Sequence, residues 1–167
     1  MNVLVLHGPN LNLLGEREPA VYGRTTLREI NHRIRVRARA LGGTVKAFQS
    51  NWEGRLVDLL HQHRRWADVL IINPGALTHT SYVLRDAIEA VRIPAFEVHL
   101  SDIRKREPWR RRSVVRAVCK RQISGLGVES YLTALDAAAV LHSPLREGIV
   151  PTKRRKTREV PIRAAKR

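Results

Sequence analysis

Three stretches of this sequence gather residue types that do chemistry, and each follows a short apolar run. His7-Gly8-Pro9-Asn10-Leu11-Asn12 comes after Val3–Leu6. Asn73-Pro74-Gly75-Ala76-Leu77-Thr78-His79-Thr80-Ser81 comes after Val69–Ile72, and His99-Leu100-Ser101-Asp102 after Ala95–Val98. An imidazole exchanges protons near neutral pH, and an Asn amide both donates and accepts, so these stretches suit the lining of a ligand crevice. A fourth stretch, His7 to Arg24, has no periodicity and holds Arg17, Tyr22 and Arg24 among Gly15, Pro19 and Gly23. It is much longer than the roughly two to six residues that usually join a strand to a helix, and reads as a lid that carries chemistry. Each stretch also has a plainer reading. The Gly-Pro-Asn and Asn-Pro-Gly triplets make natural turns, Thr80 or Ser81 could cap a helix, and His99 could be a core histidine. Tyr22 could anchor its loop by packing, and the arginines from Arg104 to Arg112 could form a solvated face.

The elements between these stretches must bring them together. Val3–Leu6, Thr44–Gln49, Val69–Ile72, Ala95–Val98 and a weak run near Val118–Ile123 read as strands. Thr26 to Leu41 reads as a helix, with Leu27, Ile30, Ile34, Ala38 and Leu41 on one face and Gly42-Gly43 as its stop. Asn51 to Arg65, Ser81 to Val91 and Val128 to Leu141 read as three more. Strands alternating with helices predict an α/β fold: a parallel five-stranded sheet of flavodoxin-like order 2-1-3-4-5, with helices on both faces. In such sheets ligands bind beyond the carboxyl ends of the strands, near the point where strand order reverses. Strands one, three and four are neighbours in that order, so the three chemical stretches converge on one crevice.

Composition narrows the function. At 167 residues and 43% apolar, the chain suits one domain with a real core, which excludes wholesale disorder. No apolar stretch approaches the length of a membrane span, and Met1–Leu6 lacks a signal-peptide pattern, so a cytoplasmic protein is expected. The single cysteine, Cys119, cannot form an internal disulfide. A net charge of +16 attracts anions. Residues 143–167 carry nine Lys and Arg against Glu147 and Glu159, include three prolines, and show no periodicity. Residues 1–142 are therefore read as the domain, and 143–167 as a mobile basic extension able to make weak, non-specific nucleic-acid contact. Neither a dinucleotide fingerprint nor a P-loop is present, and His61 and His63 point to different faces of their helix, poor geometry for a metal. None of the six lysines falls at a strand end in the crevice, so an imine mechanism has no candidate residue.

Taken together, the motifs resemble those of the type II 3-dehydroquinate dehydratases. The resemblance rests on His7-Gly8-Pro9-Asn10-Leu11-Asn12-Leu13-Leu14-Gly15, Arg17-Glu18-Pro19, Tyr22-Gly23 and Gln49-Ser50-Asn51. It continues through Asn73-Pro74-Gly75-Ala76, Thr78-His79-Thr80-Ser81, Arg85-Asp86-Ala87, Glu97-Val98-His99-Leu100-Ser101, Arg106-Glu107, Arg110, Gly125-Leu126-Gly127 and Tyr131. These blocks occur in order over residues 2 to 140.

The resemblance implies loss of water from 3-dehydroquinate to give 3-dehydroshikimate by anti elimination through an enolate, with neither cofactor nor metal. It implies Tyr22 as the base, held as a phenolate by Arg17. A free phenol ionises near pH ~10. A guanidinium about 4 Å away contributes roughly 4 kcal/mol at an effective dielectric of about 20, which brings the phenolate within reach of neutrality. His99 matches the acid, and Glu97, two residues back on the same strand face, can fix its tautomer and favour its protonated form. Asn10 matches the residue that holds a water or the histidine. Asn73 and His79 match hydroxyl-binding groups, Leu100 and Ser101 the amides that hold the carboxylate, and Arg110 the lid arginine. Asp86 matches a residue that reaches a neighbouring subunit's site in a homo-oligomer, a dodecamer built of trimers. The chain departs from the pattern at Asp102, usually Asn, at Arg112, usually His, and at Val114-Val115-Arg116, usually small or polar, so the end of the substrate loop is the least secure part. Two other classes remain open: a nucleic-acid-binding protein, favoured by the charge, and a flavodoxin-like FMN or signalling domain, which would need a phosphate-cradling loop after strand one.

Overall fold

The computed structural model of the chain describes residues 1–16 and 24–142. Arg17, Tyr22 and the basic extension from residue 143 lie outside the described residues.

Five strands form one parallel sheet: β1 (Asn2–His7), β2 (Thr44–Gln49), β3 (Val69–Asn73), β4 (Ala95–His99) and β5 (Arg121–Ser124), in the order β2-β1-β3-β4-β5. Four helices cover it: α1 (Leu27–Ala40), α2 (Glu53–His63), α3 (Tyr82–Val91) and α4 (Glu129–His142). Fold and strand order are as expected. Side chains alternate across each strand, so β1 sends Val3 and Val5 to one layer, and Leu4 and Leu6 to the other. The first layer packs Ile30, Ile34 and Ala38 of α1 and Tyr131, Ala134 and Leu135 of α4 against the sheet. The second packs Leu56, Leu59 and Leu60 of α2 with Leu84, Ala87 and Ile88 of α3. The three central strands are buried on both faces, which explains their unbroken apolar runs.

The helix starts are specified locally. Thr26 and Glu29 form a capping box before α1: the Thr26 hydroxyl accepts the Glu29 amide at 3.3 Å, and the Glu29 carboxylate accepts the Thr26 amide at 2.7 Å. Ser81 caps α3 by accepting the Leu84 amide at 2.8 Å. Such caps stabilise by roughly 1 kcal/mol each. Arg37 of α1 reaches Asp136 of α4 at 2.8 Å, and Arg33 bonds Glu129, locking the two helices of one layer together. The weak fifth strand is displaced from its predicted place. Arg116–Val118 closes a 3₁₀ turn, and pairing with β4 begins only at Arg121.

Candidate active site

The carboxyl ends of β1, β3 and β4 converge as the topology requires. Register pairs His7 with Asn73 across β1 and β3. The next residues pack back to back, with the Gly8 amide donating to the Asn73 carbonyl at 2.8 Å. A Cβ on Gly8 would lie 2.2 Å from the Pro74 carbonyl oxygen, so only glycine lets the two loops touch. Gly75, at φ +60, meets Pro9 from the other side. Asn10 then turns the chain in the left-handed region, at φ 66, and its amide donates to Asn51 Oδ1 at 2.9 Å.

A cavity of about 130 Å³ opens above this junction. Among the residues lining it are Asn10, Asn73, His79, His99, Leu100, Ser101, Arg106 and Arg110. Seven of these eight are candidate site residues from the sequence; the eighth, Arg106, was noted only as part of a motif. Asp86 lies on the exposed side of α3 and does not line this cavity. Arg17 and Tyr22 are on the segment outside the described residues. Its flanks stand side by side, since a Cβ on Gly15 would lie 3.1 Å from the Arg24 carbonyl oxygen. Leu14, just before that segment, lines the cavity.

His99, His79 and Asn73 are each oriented by a partner behind them. Glu97 is completely buried, and His99 Nε2 lies 2.8 Å from Glu97 Oε1. Burial alone would raise the Glu97 carboxyl, but the hydrogen bond and charge of His99, with hydrogen bonds from Thr78 and Ser113, hold it below the usual carboxylate range. An ionised carboxylate only accepts, so Nε2 of His99 carries a proton. His79 Nδ1 donates to the Arg112 carbonyl at 2.6 Å. The Trp109 ring meets His79 edge-on at 5.5 Å, and the Arg110 guanidinium stands 4.5 Å over Trp109. Asn73 Oδ1 accepts the Gly75 amide at 3.1 Å, and the Asn73 side chain also bonds the Tyr131 hydroxyl. The Tyr131 hydroxyl lies 2.8 Å from His7 Nδ1, and His7 Nε2 lies 2.9 Å from Asn31 Oδ1. Burial lowers His7 to about 4 against a smaller raising effect of Asn31, so the ring is neutral: Nε2–H donates to Asn31 and Nδ1 accepts from Tyr131.

The three departures in the substrate loop are absorbed locally. Asp102 is gripped by Arg104 through two contacts, Nε to Oδ1 at 3.0 Å and Nη2 to Oδ2 at 3.1 Å. Val114 and Val115 are buried in the second core layer, and the Val114 amide donates to the Thr78 carbonyl at 2.8 Å. Arg112 contributes its carbonyl rather than its side chain to the His79 contact. Thr78, Ser113 and Gln122, which hold Glu97, are not among the candidate site residues: Thr78 stands only within a shared sequence block, and Ser113 and Gln122 in none.

The sequence profile described as dehydroquinase class II matches residues 1–139. The chain belongs to the class II dehydroquinase family. Curated relatives agree. A 3-dehydroquinate dehydratase of Pelotomaculum thermopropionicum is 55% identical over 141 residues, 84% of this chain and 98% of the relative. One of Dictyoglomus turgidum is 55% identical, over 82% of this chain and 94% of the relative. The crystal structure of a type II dehydroquinase from Butyrivibrio crossotus superposes with a TM-score of 0.81 at 39% identity, covering 83% of this chain and 97% of that one. The reaction of this family is the dehydration of 3-dehydroquinate in the shikimate and quinate pathways. The shared segment contains every candidate site residue, and its matched part ends before the basic extension.

Proposed function

We infer that this cavity dehydrates 3-dehydroquinate to 3-dehydroshikimate by anti elimination through an enolate. The observation that carries the reading is the buried Glu97–His99 pair opening onto a cavity shared with Asn10, Asn73, His79 and Arg110. Tyr22, as a phenolate held by Arg17, removes the proton next to the ketone. Asn10 holds the water that stabilises the enolate oxygen, as an oxyanion-hole donor does. His99, protonated on Nδ1 as well as Nε2, gives its Nδ1 proton to the departing hydroxyl, and Glu97 stabilises the imidazolium. Asn73 and His79 take substrate hydroxyls, the Leu100 and Ser101 amides the carboxylate, and Arg110 covers the bound ring.

The same reading places the enzyme in the cytoplasm as a dodecamer of trimers. Asp86 completes a neighbouring subunit's site; its exposed position on α3, beside exposed Tyr82 and Val83, leaves it available for that contact. No described helix is long and apolar enough to cross a membrane. The basic extension makes weak, salt-sensitive contact with nucleic acid.

The deciding experiment follows the rise in enone absorbance when the protein meets 3-dehydroquinate, for wild type, Tyr22→Phe and Arg17→Ala. Both variants are expected to lose several orders of magnitude in kcat with little change in substrate binding, because only the transition state uses the phenolate. Near-normal turnover by Tyr22→Phe would remove it as the base.

A further inference from the structure

We propose that Gln122 is a positioning residue for the acid, acting on His99 through Glu97. Gln122 stands on β5 directly opposite Glu97 in the parallel register, and its Nε2 amide donates to Glu97 Oε2 at 2.9 Å. The inference rests on reading His99 as the proton donor to the leaving hydroxyl.

The two oxygens of Glu97 are held differently. Oε1 accepts from His99 Nε2 at 2.8 Å, from Ser113 Oγ at 2.9 Å and from the Thr78 hydroxyl. Oε2 accepts from Gln122 and, at 3.0 Å, from the same Ser113 hydroxyl. Ser113 has one proton to share between the two oxygens. Its own lone pair takes the Arg116 amide at 2.9 Å, which directs the hydroxyl hydrogen toward the carboxylate. Among the described residues, Gln122 is therefore the one partner that serves Oε2 alone. It stops the carboxylate from turning about its last bond and spreads the negative charge away from the oxygen that faces His99.

Loss of that donor has a direction. A buried carboxylate with an unmet oxygen concentrates charge where donors remain, so it holds the His99 proton more tightly. An imidazolium held more tightly is a weaker acid toward the leaving hydroxyl. Other charged or titratable groups surround the pair. The Cys119 thiol is pushed up to about 12, by burial first and by the Glu97 charge second. The Arg116 guanidinium bonds the Cys119 carbonyl. Arg106, Arg110 and His79 line the cavity in front of His99, and Asp102 is tied to Arg104.

Gln122→Met keeps length and volume and removes the donor. Its kcat is expected to fall about tenfold, the usual worth of one hydrogen bond to an ion, with KM within about twofold. The alkaline limb of the kcat–pH profile, set by proton loss from the acid, is expected to move to higher pH. In a Glu97→Gln background the same substitution should cost nothing further. Ser113→Ala, which removes a donor from both oxygens, reads the same limb if Gln122→Met does not fold. An unmoved limb with unchanged kcat would overturn the proposal, as would an equal loss in the Glu97→Gln background. His99→Gln separates the two levels: near-normal turnover there sinks the acid assignment itself, whereas an inactive His99→Gln beside an indifferent Gln122→Met sinks only the role of Gln122.

Discussion

The described candidate residues are individually ordinary side chains; what distinguishes them here is how they are held. Asp102 shows this at its sharpest. A carboxylate stands next to the Leu100 and Ser101 amides where the substrate's own carboxylate is read to bind, and unscreened it would repel that anion. Hydrogen bonds from the Arg104 side chain, ahead of its backbone amide, hold the Asp102 carboxyl below its ordinary range, and the guanidinium balances its charge. Arg104 is itself 77% exposed, so the pair is screened by water and its effect is small. Arg104→Ala is expected to raise KM for 3-dehydroquinate roughly two- to fivefold at unchanged kcat, the scale of an exposed charge interaction. Asp102→Asn added to Arg104→Ala should restore it. Steady-state kinetics at low ionic strength checks this, and a KM that stays at the wild-type value would show that the Asp102 charge does not reach the substrate.

At the scale of elements, the His7–Tyr131–Asn73 chain ties the ends of β1 and β3 to α4, and Asn31 extends it to α1. It carries a pH dependence whose sign follows from linkage. The unfolded chain binds a proton at His7 near 6.5, whereas the folded chain does so only near 4, chiefly because of burial. The resulting stability is complete above 6.5 and is lost as pH falls toward 4, about 2 kcal/mol by pH ~5 and about 3 kcal/mol in full. His7→Asn, which can accept from Tyr131 and donate to Asn31 without titrating, is expected to flatten that decline. Urea midpoints at pH ~7 and ~5 measure it, and an equal decline in both proteins would place the titration elsewhere. The strands and their order were legible because unbroken apolar runs in a βα alternation permit few arrangements. The strand-end residues were legible for the same reason, since topology puts them together without any knowledge of side chains. Thr78, Ser113 and Gln122 were not, because their meeting at Glu97 depends on register and on a loop path, neither of which leaves a periodic trace. The start of β5 was misplaced because Val118 and Cys119 are apolar for a different reason: they pack into the second core layer, not within the ladder.

For the whole molecule, the expected boundary near residue 142 would separate chemistry from charge. The family match ends at 139, and α4 ends at His142, whose ring lies 3.9 Å from the Asp68 carboxylate. Truncation after Ser143 keeps that contact, and kcat/KM is expected to stay within about threefold, less than ~0.7 kcal/mol. Light scattering should still give about twelve times the mass of the shortened chain. Nucleic-acid binding, measured by polarisation across a salt series, should drop sharply on truncation. Activity that collapses in an intact oligomer would show that the extension reaches the site. The contact between Gly8 and Pro74 also has a consequence in time. The floor of the cavity joins residues 66 positions apart, and its supports come later still, Gln122 on β5 and Tyr131 on α4. A chain emerging from the ribosome holds β1 without its central neighbour until β3 has been made, and parallel pairing is non-local and slow to form. Through that interval one edge of Val3–Leu6 lacks its partner strand, and the nascent enzyme has an open sheet edge well before it has a site.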